Sequence, residues 1–458
     1  MRVIICGAGQ VGYSIATYLA REDNDVTLID SDPDKIAQAS ADLDARCIRG
    51  FASSPDVLAS AGASNADMLV AVTNSDEVNM LACQVGHSLF NIPKKIARIR
   101  NQSYLDPAWS NLFSRSHMPI DVIISPEVEI ANSIVQRLIV PGTTNVALLA
   151  DGRVYLVGVI LPPNSPVAHV QLRQLSTLFP DLSLVIGSIR RNGELIVPRG
   201  DDRMETGDEI FFFTDTLHIN RALAAFGHEE KQARSIVLIG GGNVGYYLAK
   251  KLTSQFPQLN LKIIEHNRER ALFLAEKLPR VTVLHGDALH PDLMEEANIP
   301  QAETVITITN DDEANLLGAS LAKKMGANRA IALVNGSTYA PLSSQLGIDA
   351  VVSPRASTVS TIMRHVRRGR IKALHTLEDG HAEVIEAEVS ETSHMTNKAI
   401  EDLDLPTDVR LGAIIRDGKI LPLSHDLVIK PHDHVIVLTS ADQVRRVEQM
   451  FTVQVDLF

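Results

Sequence analysis

The chain has 458 residues, 45% apolar and 21% charged, with a formal net charge of −12 and a pI near 5.7. That length exceeds a single hydrophobic core and that apolar content excludes a disordered chain, so several folded domains are expected. The acidic balance argues against nucleic acid as a partner, no apolar run reaches the ~18–20 residues of a spanning helix, no signal-peptide pattern opens the chain, and Cys6, Cys47 and Cys83 form no CxxC, which fits a reducing compartment.

Taken in order, residues 1–140 alternate apolar strands with helical patterns. Strands are predicted near 2–6, 26–30, 46–49, 68–72, 95–100 and 122–124, an order that calls for a parallel sheet with helices on both faces. Between the first strand and first helix runs Gly7-Ala8-Gly9-Gln10-Val11-Gly12, and the second strand ends on Asp30. Thr73-Asn74 follow the fourth strand, at the carboxyl edge where ligands of such sheets lie, although they also suit capping of the next helix. Arg98 and Arg100 fall on the fifth strand with one residue between them. They are expected on one face, where a guanidinium can fork onto phosphate or sit as a plain surface pair. Ser125-Pro126 opens a helix whose Ile130, Ile134 and Leu138 make one apolar stripe. The stripe suits either its own sheet or a neighbouring chain, and the sequence leaves that choice open.

Residues 141–228 change character. Short β runs are joined by Asp151-Gly152 and Asn192-Gly193, pairs that suit hairpins needing positive φ at both central positions. A short helix is expected near 171–178 and a last one near 216–226, making a small α+β module.

Residues 233–368 then repeat the first domain. Gly240-Gly241-Gly242-Asn243-Val244-Gly245 restates the turn, Glu265 the acid, Thr309-Asn310 the pair after the fourth strand, and Ser353-Pro354 the helix start. Leu333 and Asn335 replace the two arginines. The basic run 364–372 reads as a solvated helix end, with an anionic lipid surface or acidic partner as its alternative use. Residues 369–458 repeat the small module, with turns Asp379-Gly380 and Asp417-Gly418 and helices near 397–403 and 441–451. His432 and His434 flank Asp433 on one expected strand face, but no third ligand is evident, so no metal is expected. The fold class is α/β: two Rossmann-like doubly wound parallel-sheet domains, each followed by a small α+β domain, an internal N1–C1–N2–C2 duplication.

A lone GxGxxG is weak evidence; a strand before, a helix after and an acid about 20 residues on give it meaning. Both copies meet all three conditions. Gly7 and Gly240 permit the sharp turn, Gly9 and Gly242 let a diphosphate approach the backbone, and Gly12 and Gly245 let the helix sit close to the strand. The helix N-terminus offers free N–H groups to phosphate. Asp30 and Glu265 suit a ribose diol and repel a 2′-phosphate, which favours NAD over NADP. The alternative is packing glycines beside an exposed acid. Neither small module carries a matched His, Lys, Tyr or Cys in a plausible active-site setting, so a catalytic site is not expected.

The N–C–N–C order, the doubled turn with its acid, and the segments "TNSDEVN" and "TNDDEAN" closely resemble the TrkA-type peripheral subunits of bacterial Trk potassium-uptake systems, over essentially the whole chain. The resemblance implies a nucleotide-binding regulator of potassium conductance in the cytoplasm, peripheral on the inner face of the membrane through a membrane-embedded potassium transporter subunit. It implies NAD(H) or adenine nucleotides (ATP, ADP) as ligands, and a homo-oligomeric ring, expected to be a tetramer. The implied nucleotide contacts fall on Gly7 to Gly12, Asp30, Thr73, Asn74 and Arg98, and on Gly240 to Gly245, Glu265, Thr309 and Asn310. The second copy departs from this pattern, since Leu333 stands where Arg98 stands in the first. An NAD-dependent oxidoreductase is the alternative of another class, and a purely structural adaptor is a third.

Overall fold

The computed structural model describes residues 1–21, 24–336, 339, 342–366, 371–377, 382–406, 408–421, 423–440 and 443–451. The first sheet comprises β1 (Arg2–Cys6), β2 (Asp25–Asp30), β3 (Arg46–Arg49), β4 (Met68–Ala71), β5 (Lys94–Arg98) and β6 (Val122–Ile124). The next comprises β7 (Asn145–Leu149), β8 (Val154–Ile160), β9 (Leu184–Arg191), β10 (Glu194–Ile196) and β11 (Glu209–Asp215). The third contains β12 (Ser235–Ile239), β13 (Asn260–Glu265), β14 (Thr282–His285), β15 (Thr304–Thr307), β16 (Ala330–Leu333) and β17 (Ala350–Val352). The fourth contains β18 (Ile371–Leu377), β19 (Ala382–Glu388), β20 (Val409–Arg416), β21 (Lys419–Leu421) and β22 (His434–Ser440).

The first and third sheets are parallel, with orders β3-β2-β1-β4-β5-β6 and β14-β13-β12-β15-β16-β17. This is the doubly wound order, with the reversal beside the first strand of each copy. Central strands such as β4 and β15 are buried along their whole length, because helices cover both faces. The two antiparallel sheets share one topology, β10-β9-β11-β8-β7 and β21-β20-β22-β19-β18 read from corresponding ends. The tandem Rossmann-like and α+β architecture expected from the sequence is the one observed.

Packing groups the chain into two units, Met1–Glu129 with Pro354–Arg367 and Ile130–Ser353 with Arg368–Phe458. The first holds the first parallel sheet. Its remaining helix, Pro354–Val366, comes from the end of the second repeat and packs on helix Gln10–Arg21. Within this unit Thr361 Oγ1 donates to Glu129 Oε2 at 3.1 Å, and Lys94 Nζ donates to the His365 carbonyl.

The second unit holds the other three sheets. Its largest core unites the second parallel sheet with Ile130, Ala131, Ile134, Val135 and Leu138 of helix Pro126–Ile139. The apolar stripe therefore covers neither its own sheet nor a neighbouring chain but the sheet of the other repeat. Arg329 holds the end of this helix, donating to the carbonyls of Arg137 (2.8 Å) and Thr143 (2.6 Å). The buried Arg137 donates to the Thr144 carbonyl at 3.1 Å, and burial pushes its pKa down to about 10. Arg329 thus satisfies one carbonyl that the helix end leaves unpaired, and the two cations together tie down the segment that follows it.

In the same unit the two small modules share a core containing Leu156, Phe211 and Phe213 of one and Val384, Ile415, Ile436 and Leu438 of the other. Gly187 and Gly412, which occupy matching places in the repeat, make room for this contact. A Cβ on Gly412 would lie 2.6 Å from the Phe213 ring, and one on Gly187 would lie 2.9 Å from that ring and 3.1 Å from Leu438. Each module repeats a bidentate pair on a buried aspartate, Arg191–Asp208 and Arg416–Asp433, with both contacts at 2.7–2.8 Å. The turns Asp151-Gly152, Asn192-Gly193 and Asp417-Gly418 have positive φ at both positions. Asp379-Gly380, and residues 367–370 of the basic run, lie outside the described residues.

His432 does not share a strand face with His434. It sits in the preceding turn at φ 68°, with Nδ1 3.0 Å from Glu388, whereas β22 begins at His434. Among the described residues no group of three or more His, Cys, Asp or Glu is placed to hold a metal ion.

Candidate functional site

In the first copy, β1 ends by donating the Gly7 N–H to the Ile29 carbonyl (2.7 Å), and Gly7 turns at φ 111°. A Cβ on Gly12 would stand 1.8 Å from the Gly7 carbonyl oxygen, whereas one on Gly9 would meet nothing within 4 Å. Gly12 thus closes the turn against the helix and Gly9 faces open space. Gln10 and Val11 begin helix Gln10–Arg21, whose first turn carries no acidic residue. The three helices that follow it in this repeat, starting at Pro33, Pro55 and Asp76, each carry one there. The helix after the glycine turn thus keeps its positive end unneutralised.

Asp30 ends β2 beneath that turn. Its Oδ2 accepts from the Ala8 N–H (2.7 Å) and its Oδ1 from the Asp32 N–H (2.9 Å). A carboxylate has about four acceptor positions, so capacity remains for two hydroxyls.

The second copy repeats this geometry. Gly240 turns at φ 109° and donates to Ile264 (2.9 Å), and a Cβ on Gly245 would stand 2.2 Å from the Gly240 oxygen while Gly242 is open. Glu265 Oε2 accepts from Gly241 N–H and Oε1 from Asn267 N–H, both at 2.7 Å. Asn243 and Val244 begin helix Asn243–Gln255, again without an acidic first turn.

Thr73 and Thr309 lie at the carboxyl ends of β4 and β15, half-buried, with Asn74 and Asn310 exposed beside them. They do not cap the following helices. Ser75 and Asp311 do so, accepting from Val78 N–H (3.2 Å) and Ala314 N–H (2.8 Å). The threonines are instead held by fully buried asparagines. Asn79 Oδ1 accepts from Thr73 N–H (2.9 Å) and Oγ1 (2.7 Å), while Nδ2 donates to the carbonyls of Thr73 (3.2 Å) and Arg98 (2.9 Å). Asn315 makes the same four bonds to Thr309 and Leu333 at 2.8–3.0 Å. Asp76 accepts from the N–H groups of Arg100 and Asn101, and Asp312 from those of Asn335 and Gly336. The quoted "TNSDEVN" and "TNDDEAN" segments contain all four of these clamping residues. Their role escaped the sequence because their partners are backbone groups that the sheet brings close.

Arg98 is the last residue of β5. Its side chain is largely buried and Nε has no hydrogen-bond partner. Burial, and then the neighbouring Arg100, push its pKa down, opposed by Glu127 and Asp76. An orphaned buried donor beside the glycine turn's sheet edge is a place for an anion. Arg100 departs from the expected pairing. The strand stops before it, Asp76 holds its N–H, and its Nε donates to the buried Glu127 Oε1 at 3.1 Å. In the second copy Asn335 turns back on Asp312 through its own Nδ2 (3.0 Å).

A further cation went unread in the sequence. Arg270, from helix Arg268–Lys277, donates through Nε to the Gly241 carbonyl (2.7 Å) and through Nη2 to the Gly242 carbonyl (3.0 Å).

A protein of Azorhizobium caulinodans named "Trk system potassium uptake protein TrkA" is 47% identical over 458 residues, covering 100% of both chains. The chain belongs to the TrkA family. Its counterpart in Halomonas elongata is 40% identical, again over 100% of both chains. The TrkA-N domain matches residues 3–126 and 236–354, and the TrkA-C domain residues 156–227 and 384–452. Both TrkA-N matches stop where the exchanged helices begin. Among solved structures, that of the GsuK RCK domain superposes with a TM-score of 0.60 at 17% identity, over 98% of this chain and 94% of that one. "GsuK channel bound to NAD" gives 0.60 at 17%, over 98% and 78%. These likenesses establish the TrkA fold. No described helix is long and apolar enough to cross a membrane.

Proposed function

We propose that this TrkA-family chain is a cytoplasmic, nucleotide-binding regulatory subunit that gates a membrane-embedded potassium transporter, using NAD(H) or adenine nucleotides as the signal. The observation that carries the reading is the twin turn. In each copy an acid bonded to the turn's own amide retains acceptor capacity, the middle glycine faces open space, and the helix end is unneutralised. The names of the full-length relatives support the potassium-transport role.

A bound adenine nucleotide or dinucleotide would supply negative phosphates and a ribose diol. Asp30 and Glu265 accept from the diol. The amides at Gly9–Val11 and Gly242–Val244 take phosphate, and Arg98 adds a cation in the first copy. None of these roles moves a proton or an electron, and in this reading binding is itself the output.

A ligand shifts a conformational equilibrium only by its differential affinity for the two states. A tenfold preference per site is worth ~1.4 kcal/mol, and moving a gate from 1:99 to 99:1 takes ~5.5 kcal/mol. About four coupled sites suffice, which two sites per chain in a homo-oligomeric ring, here a tetramer, provide with reserve. The test is nucleotide-dependent potassium flux in vesicles holding the transporter and this chain. Asp30→Ala with Glu265→Ala is expected to abolish the dependence, and undiminished dependence refutes the mechanism. Steady turnover of NADH by the purified chain would instead mark it as an oxidoreductase.

A further inference from the structure

The two turns differ most at the position five residues after the acid. In the first copy this is Lys35, whose ammonium pairs with Asp32 at 3.5 Å, while Tyr13 on the opposite helix donates to Asp42 at 3.0 Å. In the second copy it is Arg270. Its guanidinium carbon lies 4.7 Å from the Phe273 ring centre and 5.8 Å from that of Tyr246, and the two rings are tilted against each other at 5.6 Å. The counterpart of Phe273 in the first copy is Gln38, so this aromatic seat exists in one copy only.

Three features give the arrangement a function. Two backbone carbonyls of the turn itself, Gly241 and Gly242, fix the guanidinium beside the Gly242 opening. Only two of its five N–H donors are used in those bonds. The planar cation is preorganised by stacking, so little side-chain entropy is lost when an anion arrives. Its side of the site is also defined. Arg270 follows β13 and its ribose-facing acid, whereas Arg98 of the first copy ends β5, on the far side of the switch point.

Resting on the nucleotide reading above, we infer that Arg270 is a binding residue of the second turn alone, contacting the phosphate nearest the adenosine. Site one draws its cation from the opposite side of the sheet, through Arg98. The second copy, which lacks an arginine at Leu333, is therefore not the less cationic of the two. Its positive group enters from another element.

The test uses the full-length chain carrying Asp30→Ala, so that the second turn supplies the binding, and titrates adenosine, AMP and ADP by calorimetry or competition. Adding Arg270→Ala is expected to weaken AMP and ADP about tenfold, the scale of one charge-assisted contact, and to leave adenosine unchanged. Arg270→Gln retains length and a donor for the turn carbonyls but no charge, and should show the same phosphate-selective loss. If AMP and ADP bind both variants as they bind the parent, or if adenosine weakens in parallel, Arg270 only shapes the turn and the inference is overturned. A parent that binds none of the three overturns the nucleotide reading of this turn and the inference with it.

Discussion

Replacing Asn79 by alanine probes the least visible part of the site. Its side chain is 0% exposed and makes four hydrogen bonds, all at the carboxyl ends of β4 and β5. Truncation removes this partner from three backbone groups, the Thr73 N–H, the Thr73 carbonyl and the Arg98 carbonyl. Each buried group left unpaired costs ~1–3 kcal/mol. Thr73 is half-buried, so water recovers part of that penalty, and the sum is about 3 kcal/mol. This corresponds to roughly a hundredfold easier local opening. Hydrogen exchange read by mass spectrometry should show that loss of protection in peptides covering 68–84 and 94–101. The duplicate segment 304–320 is an internal control, since Asn315 makes the equivalent bonds there and is untouched. Unchanged protection at 68–84, or an equal loss at 304–320, would refute the clamp. Nucleotide affinity at the first turn should fall as well, because Arg98 loses the bond that fixes its backbone.

Three other outcomes follow from the same geometry. Gly9→Ala should leave thermal stability within about 1 kcal/mol, since its Cβ meets nothing, yet sharply reduce nucleotide affinity. Gly12→Ala, with its Cβ 1.8 Å from a backbone oxygen, should destabilise by several times more, and melting curves with and without ligand separate the two. Arg329→Ala removes two charged-donor bonds, one to the last turn of helix Pro126–Ile139 and one to the Thr143 carbonyl in the segment after it, each worth ~1.5–3 kcal/mol. It should lower the melting temperature and raise protease sensitivity near Gly142, with wild-type behaviour counting against the cap. His228 Nδ1 lies 2.9 Å from Glu230 and Nε2 2.9 Å from the Ile160 carbonyl. Burial opposes its charge, but these bonds outweigh it and raise its pKa above 6.5, while the same pair lowers that of Glu230 below 4.5. The histidine's contribution is complete below its unfolded value near 6.5 and fades as pH rises through the elevated folded value. The glutamate's is complete above 4.5 and fades as pH falls. Stability should decline above pH 6.5 in a way that His228→Gln flattens, as thermal melts across pH 5–8 would read.

Much of this molecule is written locally. Glycine spacing, the acid at the end of the second strand, the Asp-Gly and Asn-Gly hairpins and the strand–helix alternation are each determined within a few residues by backbone sterics and periodicity. The sequence alone therefore specifies two Rossmann-like sheets, two small β-rich modules and their duplication. It also places Asp30 and Glu265 under their turns. Three things required distant parts of the chain to meet. Asn79 and Asn315 gain their meaning only when strand ends arrive beside them. Arg270 becomes part of a turn written nearly thirty residues earlier. The exchange of helices 126–139 and 354–366 could not be read from an apolar stripe, because such a stripe states that a helix must be covered without stating by which sheet, and only the assembled core, closed by Arg329, decides that.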